Sequence, residues 1–318
     1  MSDLKPAKTY AEQLQLLRDR GLTVADETFA LHCLEHHNYY RLSAYRFPLT
    51  VAADPDRFVA GASFATLWEL YSFDRDLRQL VNEALKHVEV SVRSHWAYVL
   101  GHAYGAHVFE DAANFSDPIR HTESLQKLDE ELARSDEVFV GHYRNKHHMF
   151  RPPIWAACEV MSFGLLSRFY ANTRRFKDRK DIARPYRLFP ETMKSFLEHA
   201  VYVRNLCAHH SRLWNRRFTI TLAIPVAQPM AILSSLHPAE DRRIYNTLVL
   251  LGHMMDVIET DRRWRVRLYA LLVRQKFPVT AHMGFPGDWR ERPFWHAAIT
   301  SPAPPADQGQ DAEKGGPS

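Results

Sequence analysis

From about residue 64 to residue 103 the chain runs forty residues without a proline. Its apolar members recur at three- and four-residue steps: Leu67, Leu70, Leu77, Leu80 or Val81, Leu85, Val88, Val92, Trp96 and Val99. That period is helical. A straight helix of this length would reach about 60 Å at 1.5 Å per residue, so a break or bend is expected within it. The other segments also read mostly as helices and strand candidates are few. The expected fold is therefore an all-α bundle with short connections.

Residues 10–20 form a short amphipathic helix stopped by Gly21, a second begins after Asp26, and residues 39–47 lead to Pro48. Residues 54–62 have the composition of a loop. Residues 121–144 read as one acidic surface helix. Pro153 is placed to start a helix over 154–170. Its core stripe is Trp155, Val160, Phe163, Leu166 and Phe169, with Gly164 permitting close helix approach. Pro190 and Glu191 open another helix, in which Met193, Phe196, Leu197, Ala200 and Val203 lead at helical spacing to Arg204. Residues 219–224 suit a short strand or an extended connector, and two more helices are expected near 239–259 and 264–275. Residues 301–318 hold four prolines and three glycines with almost nothing apolar, and predict a disordered tail. The organisation expected is an N-terminal helical segment (1–62) packed on a helical core (63–300), then the tail (301–318).

With 318 residues, 46% of them hydrophobic, the chain can bury a proper core. A mean hydropathy of -0.37 and the lack of an apolar run near membrane-spanning length point to a soluble protein with no membrane partner. Residues 1–6 contain no apolar signal core. Three scattered cysteines, Cys33, Cys158 and Cys207, make no disulfide framework, which fits a cytoplasmic location. There is no Gly-rich phosphate loop, no Cys-x-x-Cys and no internal repeat, and no cofactor is expected. His32 and His36, four apart with Cys33 between them, raise a zinc reading. A tetrahedral site needs four ligands and no partner pair has the usual spacing, so no metal is expected either.

The net charge is only +4, but it is unevenly spread. Residues 174–187 hold seven Lys/Arg against two Asp, and 262–276 hold six against none. Residues 121–137 hold six acidic against two basic. Basic runs suit a polyanion such as RNA, and Arg174, Arg175, Lys177 and Arg212 are the candidate contacts. The competing reading of any single run is a solvated helix face.

Chemistry is concentrated in residues 202–215, where fourteen residues collect Arg204, Asn205, His209, His210 and Arg212 and no acid. A histidine can take or return a proton near neutral pH, and a guanidinium can hold charge developing on phosphorus. At about 100° per residue, Arg204 and His209 lie roughly 140° apart on a straight helix. They converge only if the helix bends or ends near Ala208, or if a second copy supplies one of them. The bland alternative is a helix end whose basic residues face its carbonyls. A Cys207–His210 nucleophile pair has no orienting carboxylate or oxyanion hole beside it. Glu89 and Arg93, four apart, form either an ordinary intrahelical ion pair or a support that orients the Arg204/His209 side chains.

The run Arg204-Asn205-x-Cys207-Ala208-His209-His210-x-Arg212-Leu213-Trp214-Asn215 resembles the signature block of the Abi family of bacterial abortive-infection proteins (the AbiD/AbiF-like group). That family is similar to the HEPN superfamily, whose ribonucleases carry Arg-x(4–6)-His. Other blocks follow in order. Asn38-Tyr39-Tyr40-Arg41-Leu42-Ser43-Ala44-Tyr45 resembles the early Tyr-Tyr-Arg-Leu-Ser block. Phe73-Asp74-Arg75-Asp76-Leu77-Arg78 resembles Phe-Asp-Arg-x-Leu-Arg, and Glu89 to Arg93 the Glu-x3-Arg after it. Pro153-Ile154-Trp155, Glu159 and Met161-Ser162-Phe163-Gly164 complete the series over about residues 9–220.

The resemblance implies a HEPN-like bundle with extra N- and C-terminal helices and a metal-independent endoribonuclease used as an anti-phage toxin. In it, His209 would be the base or acid, Arg204 the stabiliser of the phosphorane, Asn205 an orienting group and His210 a second proton carrier. It also implies a homodimer, and an antitoxin, RNA or protein, as a further partner. The rival expectation is a non-catalytic RNA-binding or partner-binding module on the same bundle.

Overall fold

The computed structural model describes residues 6–225, 229–259 and 261–299. In chain order the elements are α1 (Tyr10–Asp19), α2 (Glu27–His36), α3 (Tyr39–Ser43), β1 (Thr50–Val51), β2 (Asp54–Phe58) and α4 (Phe64–Tyr104). Then come α5 (Pro118–Ala133), α6 (Val138–His147), α7 (Ile154–Val160), α8 (Phe163–Asn172), α9 (Phe176–Ala183) and α10 (Pro190–Ala208). The last are α11 (Met230–Leu233), α12 (Ile244–Ile258), α13 (Arg263–Val273) and α14 (Pro293–Ile299). The fold is all-α.

Everything is arranged around α4, which is one continuous 41-residue helix; the expected break is absent. The Ser63 side chain accepts from the Thr66 N–H at its start, and Gly105 at φ 93 ends it. Helices α7, α9, α10, α12 and α13 pack along it, so its apolar stripe is covered for its whole length rather than left as a free rod. Individual bonds fix the neighbours in register. The Trp264 indole donates to the Leu80 carbonyl at 2.8 Å, Arg267 pairs with Glu83, and the Ser91 and Tyr186 hydroxyls meet at 2.7 Å. One apolar core runs from Leu14 through Leu77, Trp96 and Phe196 to Trp295, so the N-terminal helices share it with the rest.

The structure departs from the sequence reading in several places. Residues 121–144 belong to two helices, α5 and α6. The helix expected over 154–170 breaks at Met161–Ser162, where the Ser162 side chain caps α8 by accepting from the Leu165 N–H. Trp155, placed in a core stripe, is 54% exposed, because the face of α7 packed on α4 is that of Ile154, Ala157 and Cys158. A Cβ on Gly164 would meet only Val201 at 3.7 Å, ordinary contact, so close helix approach is not its role. Among the described residues the one sheet is the β1–β2 hairpin, whose second strand lies inside the 54–62 stretch read as loop, while 219–224 is an irregular connector rather than a strand. The tail expected over 301–318 lies outside the described residues. No described helix is long and apolar enough to cross a membrane.

Candidate functional site

Helix α10 starts on Pro190 and ends where the motif begins to matter. The His210 N–H donates to the Cys207 carbonyl at 3.0 Å and the Ser211 N–H to the Leu206 carbonyl at 2.8 Å. This pair of bonds is the Schellman ending. It places His210 in the left-handed position at φ 53, where glycine is usual and a histidine is strained. The chain turns away at His210, and Asn205, His209 and His210 are all exposed. No hydrogen bond, ion pair or ring contact reaches their side chains among the described residues. Asn205 serves His209 only through its backbone carbonyl, which accepts the His209 N–H at 3.0 Å.

The turn is held by a buried polar cluster that the sequence reading assigned no role. Asp74, on α4, is 0% exposed. One carboxylate oxygen accepts the backbone N–H groups of Leu213 (3.0 Å) and Trp214 (2.7 Å). The other accepts the Tyr45 hydroxyl at 2.5 Å and the Arg78 guanidinium. Burial pushes the Asp74 carboxyl up, and Arg78, Tyr45 and the two N–H groups pull against it. Tyr45 also stacks on Trp214, with centroids 6.1 Å apart. Arg41 and Arg212 add two clamps, donating to the carbonyls of His210 (2.8 Å) and Ala44. Three separated sequence blocks thus meet at one buried carboxylate. Arg212, a candidate RNA contact, is half-buried and bonded here, and its role in the structure is to hold the turn.

Arg204 points elsewhere. Its guanidinium Nε is buried without a partner, and its charge acts on Glu89. Glu89 is ion-paired to Arg93, which also donates to the Met161 carbonyl. Burial raises the Glu89 carboxyl, Arg93 and Arg204 oppose that, and Glu131 adds to it. Glu131 in turn accepts the Ser162 N–H at 2.8 Å. Glu89, Arg93 and Arg204 therefore gather beside the α7–α8 break, with Glu131 as a further member whose only signal was its place in an acidic run. The helix does end at Ala208, one of the two conditions for Arg204 and His209 to converge. Even so, no hydrogen bond joins them within the chain.

The other candidates are partly engaged. Arg174 donates to the Phe115 carbonyl at 3.0 Å, Arg175 lies 4.4 Å over the Tyr104 ring, and Lys177 pairs with Asp181 at 3.3 Å. All three remain exposed. The run at 262–276 is largely neutralised: Arg263, Arg265, Arg267 and Arg274 pair with Asp261, Asp256, Glu83 and Asp76. Cys207 is buried and its thiol is pushed up to about 12 by desolvation, which removes it as a nucleophile. His199, one turn before Arg204, is fully buried and held neutral. Its ring nitrogens meet the Ile220 carbonyl and the Thr247 hydroxyl, both at 2.8 Å.

A family described as Abi-like protein matches residues 32–215, which include the Tyr45, Asp74, Glu89, Arg204 and Trp214 positions just described. Neither a curated protein nor a solved structure matches the chain.

Proposed function

The chain belongs to the Abi-like protein family, and from that premise we propose that it is a metal-independent endoribonuclease of the HEPN type acting in abortive infection. One observation carries the reading. At the end of α10 a cation and two imidazoles are left without bonding partners while the turn beneath them is fixed by a saturated carboxylate. A phosphodiester would use these groups, the imidazoles being open to solvent and the guanidinium one turn below them.

His209 takes the proton of a ribose 2′-hydroxyl, and that oxygen attacks phosphorus. Arg204 holds the charge gathering on the phosphoryl oxygens. The bond to the 5′-oxygen breaks, and a second histidine, His210 or His209 of a second copy, returns a proton to the leaving oxygen. The products are a 2′,3′-cyclic phosphate and a 5′-hydroxyl. Glu89 and Arg93 orient Arg204 rather than touching RNA. Because Arg204 and His209 are not joined within one chain, the composite site of a two-fold homodimer fits them best, and such dimers are the commonest oligomers.

The test is incubation of purified protein with mixed RNA in EDTA, mapping the cut ends. Cyclic phosphate ends from the wild type, and none from Arg204→Ala or His209→Ala, are expected. Mixing the two inactive chains and allowing exchange should restore some cleavage. A strictly monomeric protein that still cut RNA would overturn the dimer. Loss of cleavage in EDTA would overturn the metal-independent chemistry.

A further inference from the structure

Away from the α10 site, the exposed face of α2 brings three uncommitted ligand groups together. His32, Glu35 and His36 occupy positions i, i+3 and i+4, which share one side of a helix. One ligand atom from each lies within 4.8 Å of the others. The two imidazole rings are 4.5 Å apart. Glu35 forms no hydrogen bond or ion pair among the described residues, although exposed His–Glu pairs elsewhere do close, as His107 and Glu110 do at 2.7 Å. Glu35 is the third donor that the His32/His36 spacing alone did not reveal.

We propose that His32, Glu35 and His36 form a three-ligand site for a divalent transition metal of the zinc class. Two imidazole nitrogens and one carboxylate oxygen are a borderline donor set that suits zinc, and three protein ligands with an open position is the pattern of a reactive rather than a structural zinc site. Ligand atoms around an ion with bonds of about 2.1 Å sit closer than 4.8 Å, and all three side chains are exposed, so rotation about their side-chain bonds closes the gap. His36 is the last residue of α2, and the negative end of a helix dipole favours a cation there.

The open position has somewhere to face. Glu35 and His36 line a cavity of about 750 Å³ between α1, α2, α3 and β2. Its wall also carries Lys8, Arg20 and Arg46, of which the two arginines share the Asp56 carboxylate. A bound ion would complete a cationic rim, and the ligand it takes from the cavity is an anionic oxygen, carboxylate or phosphate. The site is independent of the ribonuclease reading, because cleavage there needs no metal.

The experiment uses the full chain, stripped of metal by chelation and titrated with Co²⁺ as a visible probe, then with Zn²⁺. One equivalent of cobalt should give the intense absorption of a four- or five-coordinate ion, and zinc should displace it. His32→Ala and His36→Ala should each weaken binding by at least the roughly 10–100-fold typical of a lost outer-sphere partner, and Glu35→Gln should weaken it measurably. His107→Ala should bind as the wild type does. All three ligand positions are exposed, so circular dichroism should be unchanged. Wild-type affinity in the His32→Ala/His36→Ala double variant, or only the weak absorption of hydrated cobalt in the wild type, would overturn the site. Unchanged binding by Glu35→Gln would overturn the carboxylate's place in it. RNA cleavage in EDTA is scored separately, so failure of one proposal is visible without the other.

Discussion

Residues 204–210 and residues 211–214 are neighbours in one short stretch, yet the fold treats them in opposite ways. At Leu213 and Trp214 the backbone N–H groups are buried and taken up by Asp74, whose four bonds leave no acceptor site vacant. At Asn205, His209 and His210 the side chains bond to nothing described, and Arg204 keeps a buried Nε without a partner. A buried polar group left unbonded, such as the Arg204 Nε, costs about 1–3 kcal/mol, whereas the exposed side chains of Asn205, His209 and His210 stay open to water or to a ligand. Residues 211–214 anchor the turn, and the side chains of Asn205, His209 and His210 are left accessible above it.

The largest effect should come from the anchor. Asp74→Ala leaves the Tyr45 hydroxyl and two backbone N–H groups without an acceptor and Arg78 with only the Tyr45 oxygen at 3.3 Å, and removing one partner of a buried ion pair costs about 3–5 kcal/mol. Urea denaturation should show that loss. A change below about 1 kcal/mol, the worth of one ordinary hydrogen bond, would mean the cluster does not hold the turn.

His199, also saturated, gives the next largest effect through pH. Burial holds it at about 4 against an ordinary value of 6.5, so between those values the unfolded chain takes up the proton and the folded chain does not. Stability should be full above about pH 6.5 and fall on the order of 3 kcal/mol as pH drops toward 4. His199→Gln should flatten that slope in the same denaturation series. An equal slope in the variant would show that other groups set the acid limit.

These anchors were only partly legible in the sequence. The forty-residue period and the Pro190 start of α10 are local signals, and the fold follows them closely. Asp74 carries no such signal, because its partners Leu213 and Trp214 are about 140 residues away in sequence. The α7–α8 break is similar. Ser162 is a good cap, but Arg93 and Glu131 from two other helices are what hold the Met161 carbonyl and the Ser162 N–H. The β1–β2 hairpin has four exposed residues in its second strand, so no alternating pattern marked it. The candidate site was legible as residue types and spacing. Its geometry was not, since periodicity cannot say that Arg204 turns toward Glu89 while His209 faces solvent.

Smaller effects sharpen the contrast at the open end. His210 sits at φ 53, a conformation costing a side-chain-bearing residue about 1–2 kcal/mol, so His210→Gly should stabilise the protein by about 1 kcal/mol. If His210 returns protons to the leaving oxygen, the same variant should cut RNA more slowly. A more stable protein with full activity would remove His210 from the mechanism. Smallest is the surface charge. Neutralising Arg174, Arg175 and Lys177 together should lower the salt dependence of RNA binding by a log–log slope of about 2, at roughly 0.7 per single-strand phosphate contact. An unchanged slope would put the RNA on another face.

The most direct measurement pairs activity with stability in one variant, His209→Ala. The His209 side chain is exposed and touches nothing described, so its urea midpoint should match the wild type within the ±0.5 kcal/mol usual for such surface changes. Its RNA cleavage should fall by about 10²–10⁴-fold, the range for a lost general acid or base. Unchanged cleavage would contradict the account, and so would a loss of activity matched by a loss of folding.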